Sequence, residues 1–323
     1  MTKRVFLDTN HWITLARVRI GNEEDVDKIR IYDKIKKQAD SGKILFPFSL
    51  FHLHDLLKNK NKKQRNEVID CIVDISKGYV LKTYLHFRKQ EIENALLTKM
   101  GKKPLHDIRS QILGNGIAYT AGDEYYFNSK TMAGKLWILK NEDKLKKIID
   151  GEKTMRYFLG NEEFCKIVNQ SRGDLKGLAL KLENNRDHRK TWSKSQVWDN
   201  EIGAIFTGTV EPILVEQIVR HNFDRKKIQE LFKTKSDIES FVGLLPSIDT
   251  HVRLTFARDN ESPQRAIKPN DSVDINLLAG AIPYCDIVVT EKMFANLALK
   301  QKLYKKHNCY IISDIKKIEK FLE

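Results

Sequence analysis

The chain has 323 residues, 31% of them charged and 41% hydrophobic. That balance excludes a disordered chain and leaves apolar material for one large or two ordinary domains with a sizeable core. Lys and Arg outnumber Asp and Glu by 57 to 43, a formal net charge of +14. Such an excess favours polyanionic partners, nucleic acid first among them, although a Lys-rich solubilising surface gives the same count. No apolar run approaches the ~20 residues that span a bilayer, and Asp8 interrupts the first apolar stretch too early for a signal peptide. The four cysteines, Cys71, Cys165, Cys285 and Cys309, are widely spaced with no C-x-x-C pair. Their spacing points to reduced thiols in a cytoplasm and away from a disulfide framework or a structural zinc site.

In chain order, Arg4 to Asp8 reads as a buried strand whose apolar run Val5-Phe6-Leu7 ends in an acid. Thr9 and Asn10 then favour a turn or cap before the periodic stretch Trp12, Ile13, Leu15 and Ala16. A helix follows from Asp25 to Ala39, stopped by Ser41-Gly42. Lys43 to Pro47 reads as a second strand closed by Pro47, and Ser49 as the N-cap of a helix over Leu50 to Lys58. The basic run Lys58 to Lys63, a helix from Arg65 to Ser76 and a third strand, Tyr79-Val80-Leu81, complete the N-terminal alternation. Strands alternating with helices are the signature of right-handed βαβ units around a parallel sheet.

From about Lys89 to Pro246 the pattern turns mainly helical, punctuated by glycines such as Gly114 and Gly116, with no repeat and no catalytic motif. Tyr125, Tyr126, Phe127, Trp192 and Trp198 lie near basic residues there and read as core more readily than as base-stacking platforms. The alternation returns at Pro269-Asn270-Asp271-Ser272, which opens an apolar helix closed by Pro283. A strand over Asp286 to Thr290, a helix over Met293 to Lys302, a strand over Cys309 to Ile312 and a helix over Asp314 to Leu322 follow. The two ends of the chain are thus expected to complete one sheet, decorated by the middle.

Four acids stand at comparable places: Asp8 at the end of strand one, Asp55 six residues after Ser49, Asp274 at the start of the apolar helix, and Glu291 after Val289-Thr290. Ligands of open α/β sheets bind at the carboxyl ends of strands, where these four are able to meet. Clustered carboxylates with few lysines nearby bind hard divalent cations through oxygen. Each acid also has a plainer role, since Asp8, Asp271 and Asp274 all suit a helix N-terminus. The pair His52 and His54 points apart on a helix, and His11 reads as packing.

Three stretches together, VFLDTNHWI, ILFPFSLFHLHDLL and NDSVDINLLAGAIPYCDIVVTEKMF, resemble the PIN-domain nucleases. The resemblance implies a three-layer α/β/α fold with a central parallel sheet, formed by residues 1–90 and 250–323 around a large helical insertion at 91–249. It implies metal-dependent hydrolysis of phosphodiesters, single-stranded RNA favoured over DNA, with Mg²⁺ or Mn²⁺ held by Asp8, Asp55, Asp274 and Glu291. Asp55 stands where the family usually has Glu, Asp271 lies one turn before Asp274, and Thr290-Glu291 stands where the family has Thr-x-Asp. On this reading Asn10, Thr290, Lys58 and Arg258 serve the substrate, assisted by Lys60, Lys62, Lys63, Arg253 and Arg265 along the backbone. The insertion would shape the substrate groove, cover the site or form a homodimer interface, and toxin or defence members of such a family come with a neutralising protein partner. Two rivals differ in class. A haloacid-dehalogenase-type phosphotransferase needs a second Asp where this chain has Asn10. A catalytically inactive PIN-like scaffold would bind RNA or protein without cutting.

Overall fold

The structure, a computed structural model, describes residues 2–116, 151–163, 174–261 and 263–323, with isolated positions between 119 and 166. The side chains of His54 and Phe158 lie outside that description, as do Tyr125, Tyr126, Phe127 and Cys165. The fold is mixed α/β. Strand β1 (Lys3–Leu7) leads into helix α1 (Thr9–Arg19), then α2 (Val26–Asp40), β2 (Ile44–Leu45), β3 (Phe48–Ser49), α3 (Leu50–Leu56), α4 (Lys62–Ser76) and β4 (Tyr79–Leu81). Helix α5 (Tyr84–Lys99), α6 (Ile108–Gln111) and β5 (Leu113–Asn115) follow, then α7 (Glu152–Gly160), α8 (Leu175–His188) and α9 (Lys194–Ile205). A π-helical turn (Phe206–Val210) joins α9 to α10 (Glu211–Arg220), followed by α11 (Arg225–Glu230), α12 (Lys235–Val242) and α13 (Pro246–Glu261). The C-terminal part contains α14 (Asp271–Ala281), β6 (Ile287–Val289), α15 (Lys292–Lys300), α16 (Leu303–His307) and β7 (Tyr310–Ile312), and ends in a 3₁₀ helix, Ile315–Phe321.

A four-stranded parallel sheet in the order β2-β1-β6-β7 joins the two ends of the chain, as the alternation predicts. Val5 pairs with Ile287, Phe6 with Val288 and Leu7 with Val289. The strands read as unbroken apolar runs because both faces are covered. Val5, Leu7, Ile287 and Val289 point into one core with Trp12, Ile35 and Ile72. Phe6 and Val288 point into a second core built on Leu278, Ile282 and Phe294.

Several expectations need correction. The second strand, expected over Lys43 to Pro47, is limited to Ile44–Leu45 beside β1; after Pro47 the chain changes sheet, and Phe48–Ser49, not expected as a strand, pairs in parallel with Val80-Leu81. Pro47 has no N–H to continue a ladder, so the break falls there. The third strand therefore belongs to a separate three-stranded sheet, order β3-β4-β5, whose last strand is antiparallel and lies around the Gly114-Asn115-Gly116 turn signal, within the stretch read as helical. The C-terminal helix is a 3₁₀ helix.

The middle of the chain forms a third core, in which Ile92 and Leu96 of α5 meet Ile202, Phe206, Val210, Leu214 and Val252. Trp198 packs edge-on against Phe256 there, with ring centres 5.2 Å apart. Trp192, expected in a core, is instead 42% exposed. The expectation that nothing in the chain is apolar enough to cross a membrane also needs revision. The continuous helical stretch Lys194–Arg220 is long and apolar enough by length and composition alone. Glu211 and Glu216 interrupt it in the sequence, and its stripe of Ile202, Phe206, Val210 and Leu214 is committed to the third core.

Trp12 ties α1 to the sheet, fully buried, yet its indole N–H finds no partner among the described residues. Trp12→Ala is expected to cost about 3–5 kcal/mol in chemical denaturation. Trp12→Phe should cost far less, because the smaller ring still packs and the unpaired donor disappears.

Candidate metal centre

Asp8 ends β1, and its backbone N–H continues the ladder by donating to Val289 O at 2.9 Å. That bond sets Asp8 beside Thr290 and Glu291, the residues that leave β6. Its carboxylate is 5% exposed and well held. Oδ1 accepts from the Thr9 N–H at 2.6 Å, and Oδ2 from the Thr290 hydroxyl at 3.0 Å and the Glu291 N–H at 3.3 Å. The plain reading of Asp8 as the cap of α1 is therefore correct, and it coexists with a role in the cluster.

Asp55 arrives from α3, which β3 and His52 aim at the end of β1. The Ser49 N–H donates to His52 Nδ1 at 2.8 Å, so the opposite nitrogen, Nε2, carries the proton and donates to Leu7 O at 2.8 Å. Burial lowers the pKa of His52, in keeping with this neutral tautomer. The ring stacks on Phe6 with centres 5.0 Å apart. His52 is thus a strap between β3, α3 and β1, a role the sequence alone did not indicate. At the end of α3 the Thr9 hydroxyl donates to Asp55 Oδ2 at 2.9 Å, and Lys58 bonds Oδ1. Asp274 comes from the first turn of α14, an apolar helix buried along Leu277, Leu278 and Ala281.

Asp8, Asp55 and Asp274 each offer an oxygen, and those atoms all lie within 4.8 Å of one another. Oxygens that share one small divalent cation lie within about 4 Å of each other, so three carboxylates gathered this closely could hold such an ion together. The donors are all hard carboxylate oxygens, the ligand type that Mg²⁺, Ca²⁺ and Mn²⁺ take. Burial, then the charges of Asp8, Asp55 and Glu291, push the pKa of Asp274 up to about 9. Glu291 is half-buried outside the triad. Burial and Asp8 raise its pKa, opposed by Arg265 and Lys268.

The other expected residues fall in different places. Thr290 is 1% exposed and orients Asp8, so its hydroxyl faces a carboxylate and not solvent. Asn10 is exposed on the first turn of α1. Lys58 sits on Asp55, so the expectation of few lysines near the acids needs correction. Asp271, one turn before Asp274, is buried against Arg265 in a two-bond pair of 2.6 and 2.8 Å. Arg258, expected at the substrate, is only 3% exposed and bonds Asp259 at 2.7 Å. Arg253 pairs with Asp249. His11 makes no part of the triad; burial lowers its pKa, in keeping with packing. Cys71, Cys285 and Cys309 are free and buried.

No protein-family model, curated protein or solved structure matches this chain. What speaks for a function is therefore the site itself.

Two outcomes follow from this geometry. Thr290→Val removes a donor from a buried carboxylate that would ligate metal, and should weaken Mn²⁺ binding about 10–100-fold by calorimetry. The raised pKa of Asp274 means that the folded metal-free protein keeps a proton that the unfolded chain loses near its ordinary value of 3.8. Between that value and about 9 the folded state binds more protons, so this contribution to stability is present at low pH and lost as pH rises. Metal binding requires the carboxylate and releases the proton. The Mn²⁺-induced rise in Tm should therefore grow from pH 6.5 to 8.5, and Asp274→Asn should flatten both trends.

Proposed function

We propose that this chain is a metal-dependent nuclease with a PIN-like α/β/α domain, formed by residues 1–90 and 250–323, that hydrolyses single-stranded RNA in the cytoplasm. The observation that carries the reading is the meeting of Asp8, Asp55 and Asp274, which come from three separated stretches, at the carboxyl end of a parallel sheet. It is supported by the three motifs that hold these acids, by the excess of basic residues and by free buried thiols that suit a reducing compartment.

Asp8, Asp55 and Asp274 would hold Mg²⁺ or Mn²⁺, with Glu291 beside them. Bound there, such an ion supplies a lowered pKa for water and neutralises charge on the phosphate. The protein's own contributions are positional. Thr9, Thr290 and the Glu291 N–H fix two carboxylates before any ligand arrives, so little reorganisation is left for the reaction. Lys58 neutralises Asp55 in the resting site; once Asp55 has another cation, its ammonium is free to meet a phosphate oxygen. Products would carry a 5′-phosphate and a 3′-hydroxyl.

A binding scaffold without catalysis is the second reading, favoured by the Lys58–Asp55 pair, which already compensates one of the three acids. One experiment separates the two: labelled single-stranded RNA and DNA incubated with Mn²⁺ or Mg²⁺, comparing wild type with Asp8→Asn and Asp274→Asn. The nuclease reading expects RNA cleavage that stops with chelator and falls at least ~100-fold in either variant, since several kcal/mol of charge stabilisation disappear. Wild type that binds RNA without cutting it would establish the scaffold.

A further inference from the structure

On the Asp55 side of the triad a cavity of about 360 Å³ opens between α1, the end of α3 and α4. Its volume lies within the ~300–1,000 Å³ of small-ligand sites. Ile13, Ala16, Leu56 and Val68 make an apolar interior, and Arg17, Asn22, Asn59, Gln64, Arg65 and Glu67 give it a polar rim. Asp55 belongs both to the lining and to the triad, so the cavity borders the candidate metal centre. Part of the rim is already organised: Arg65 donates to Asn59 O at 2.9 Å, and Asn59 Nδ2 to Gln64 Oε1 at 2.9 Å. The Gln64 amide N–H₂, the Arg17 guanidinium and the Glu67 carboxylate keep no side-chain partner among the described residues.

Resting on the nuclease reading, we propose that this cavity seats one nucleobase of the RNA strand next to the scissile phosphate, making cleavage base-selective. A base has apolar faces for the Ile13–Ala16 and Leu56–Val68 walls and an edge of donors and acceptors for a rim of amide, guanidinium and carboxylate. Other occupants match less of the lining. A phosphate would face the carboxylates of Glu67 and Asp55, and a hydrocarbon would leave Arg17, Gln64 and Glu67 unpaired. Seating a base here also sets its own phosphate on the Asp55 side, where hydrolysis is proposed.

The test uses the full chain with Mn²⁺ and a set of RNA oligonucleotides identical except for one base, with cut positions read by sequencing. The expected result is one base adjacent to the cut favoured at least about tenfold, as a good two-bond edge contact gives. The double variant Arg17→Ala/Glu67→Gln, at side chains that bond nothing among the described residues, should lose that preference, and Ala16→Phe should lose it by filling the interior. In parallel, the four nucleoside 5′-monophosphates are titrated against metal-free protein with Tm as readout, which does not require cutting. One of them should raise Tm in wild type and not in the double variant. Cleavage without base preference, or a preference that survives the double variant, overturns the base pocket and leaves the nuclease standing. Absence of cleavage with base-dependent binding retained overturns the nuclease and keeps the pocket. Absence of any base-dependent binding or cutting overturns the pocket outright.

Discussion

Bringing three carboxylates within 4.8 Å of one another is the demand on which the rest of the structure turns. Ionised acids at that spacing repel one another by about 3–4 kcal/mol per pair at an effective dielectric near 20, before any penalty for burial. The fold opposes that cost in three ways, each at a named residue. Asp8 is surrounded by donors from Thr9, Thr290 and Glu291. Asp55 takes the Thr9 hydroxyl and the Lys58 ammonium. Asp274 has no such donor among the described residues, and burial with the neighbouring charges pushes its pKa up to about 9, which favours the protonated form. Lys58 thus offsets one carboxylate and a proton another, and a divalent cation would displace both as it entered.

The architecture makes this convergence possible because β1 lies inside the sheet and is covered on both sides. Val5 and Leu7 anchor one core and Phe6 the other, which leaves the chain no freedom to slip by one residue without reversing every side chain. Asp8 therefore leaves the sheet at a defined height beside Thr290. His52 does for Asp55 what the ladder does for Asp8: it bonds Ser49 N–H on one side and Leu7 O on the other, tying the first turn of α3 to the last residue of β1. Removing its ring would leave two buried backbone groups unpaired as well as a void against Phe6, so this residue matters to the site without touching the cluster.

Those parts of the site that depend on local pattern were legible in the chain. An apolar run ending in Asp, and an Asp in the first turn of an apolar helix, are short-range features, so Asp8 and Asp274 could be placed from sequence. Asp55 was placed by its distance from Ser49. What pairs with what was not legible. Arg258 and Arg253 lie on one helix whose spacing does not reveal which face is covered, and the first proves buried on Asp259. Asp271 and Asp274 look equivalent in the chain, yet a guanidinium six residues upstream takes one and the acid cluster takes the other. The change of sheet at Pro47 and the strap of His52 depend on partners 30 to 45 residues away. The cavity wall is likewise assembled from α1 and α4, which are neighbours only in three dimensions.

The same distinction changes how the net charge should be read. Arg253 and Arg265 hold the buried acids Asp249 and Asp271, each 2% exposed at the side chain, and moving them to a phosphate would strand a charge in the interior. They are structural cations, however basic the chain looks. Lys62 pairs with Glu162 at the surface, where an exposed, solvent-screened pair contributes little and exchanges readily for another anion. Lys60 and Lys63 are exposed beside it. Lys60, Lys62 and Lys63 thus place cations free to meet a polyanion where α3 gives way to α4, the segment that also borders the cavity and lies beside Asp55. A strand drawn to that segment would reach the acids from the cavity side, so approach, base contact and hydrolysis would share one short stretch of the chain.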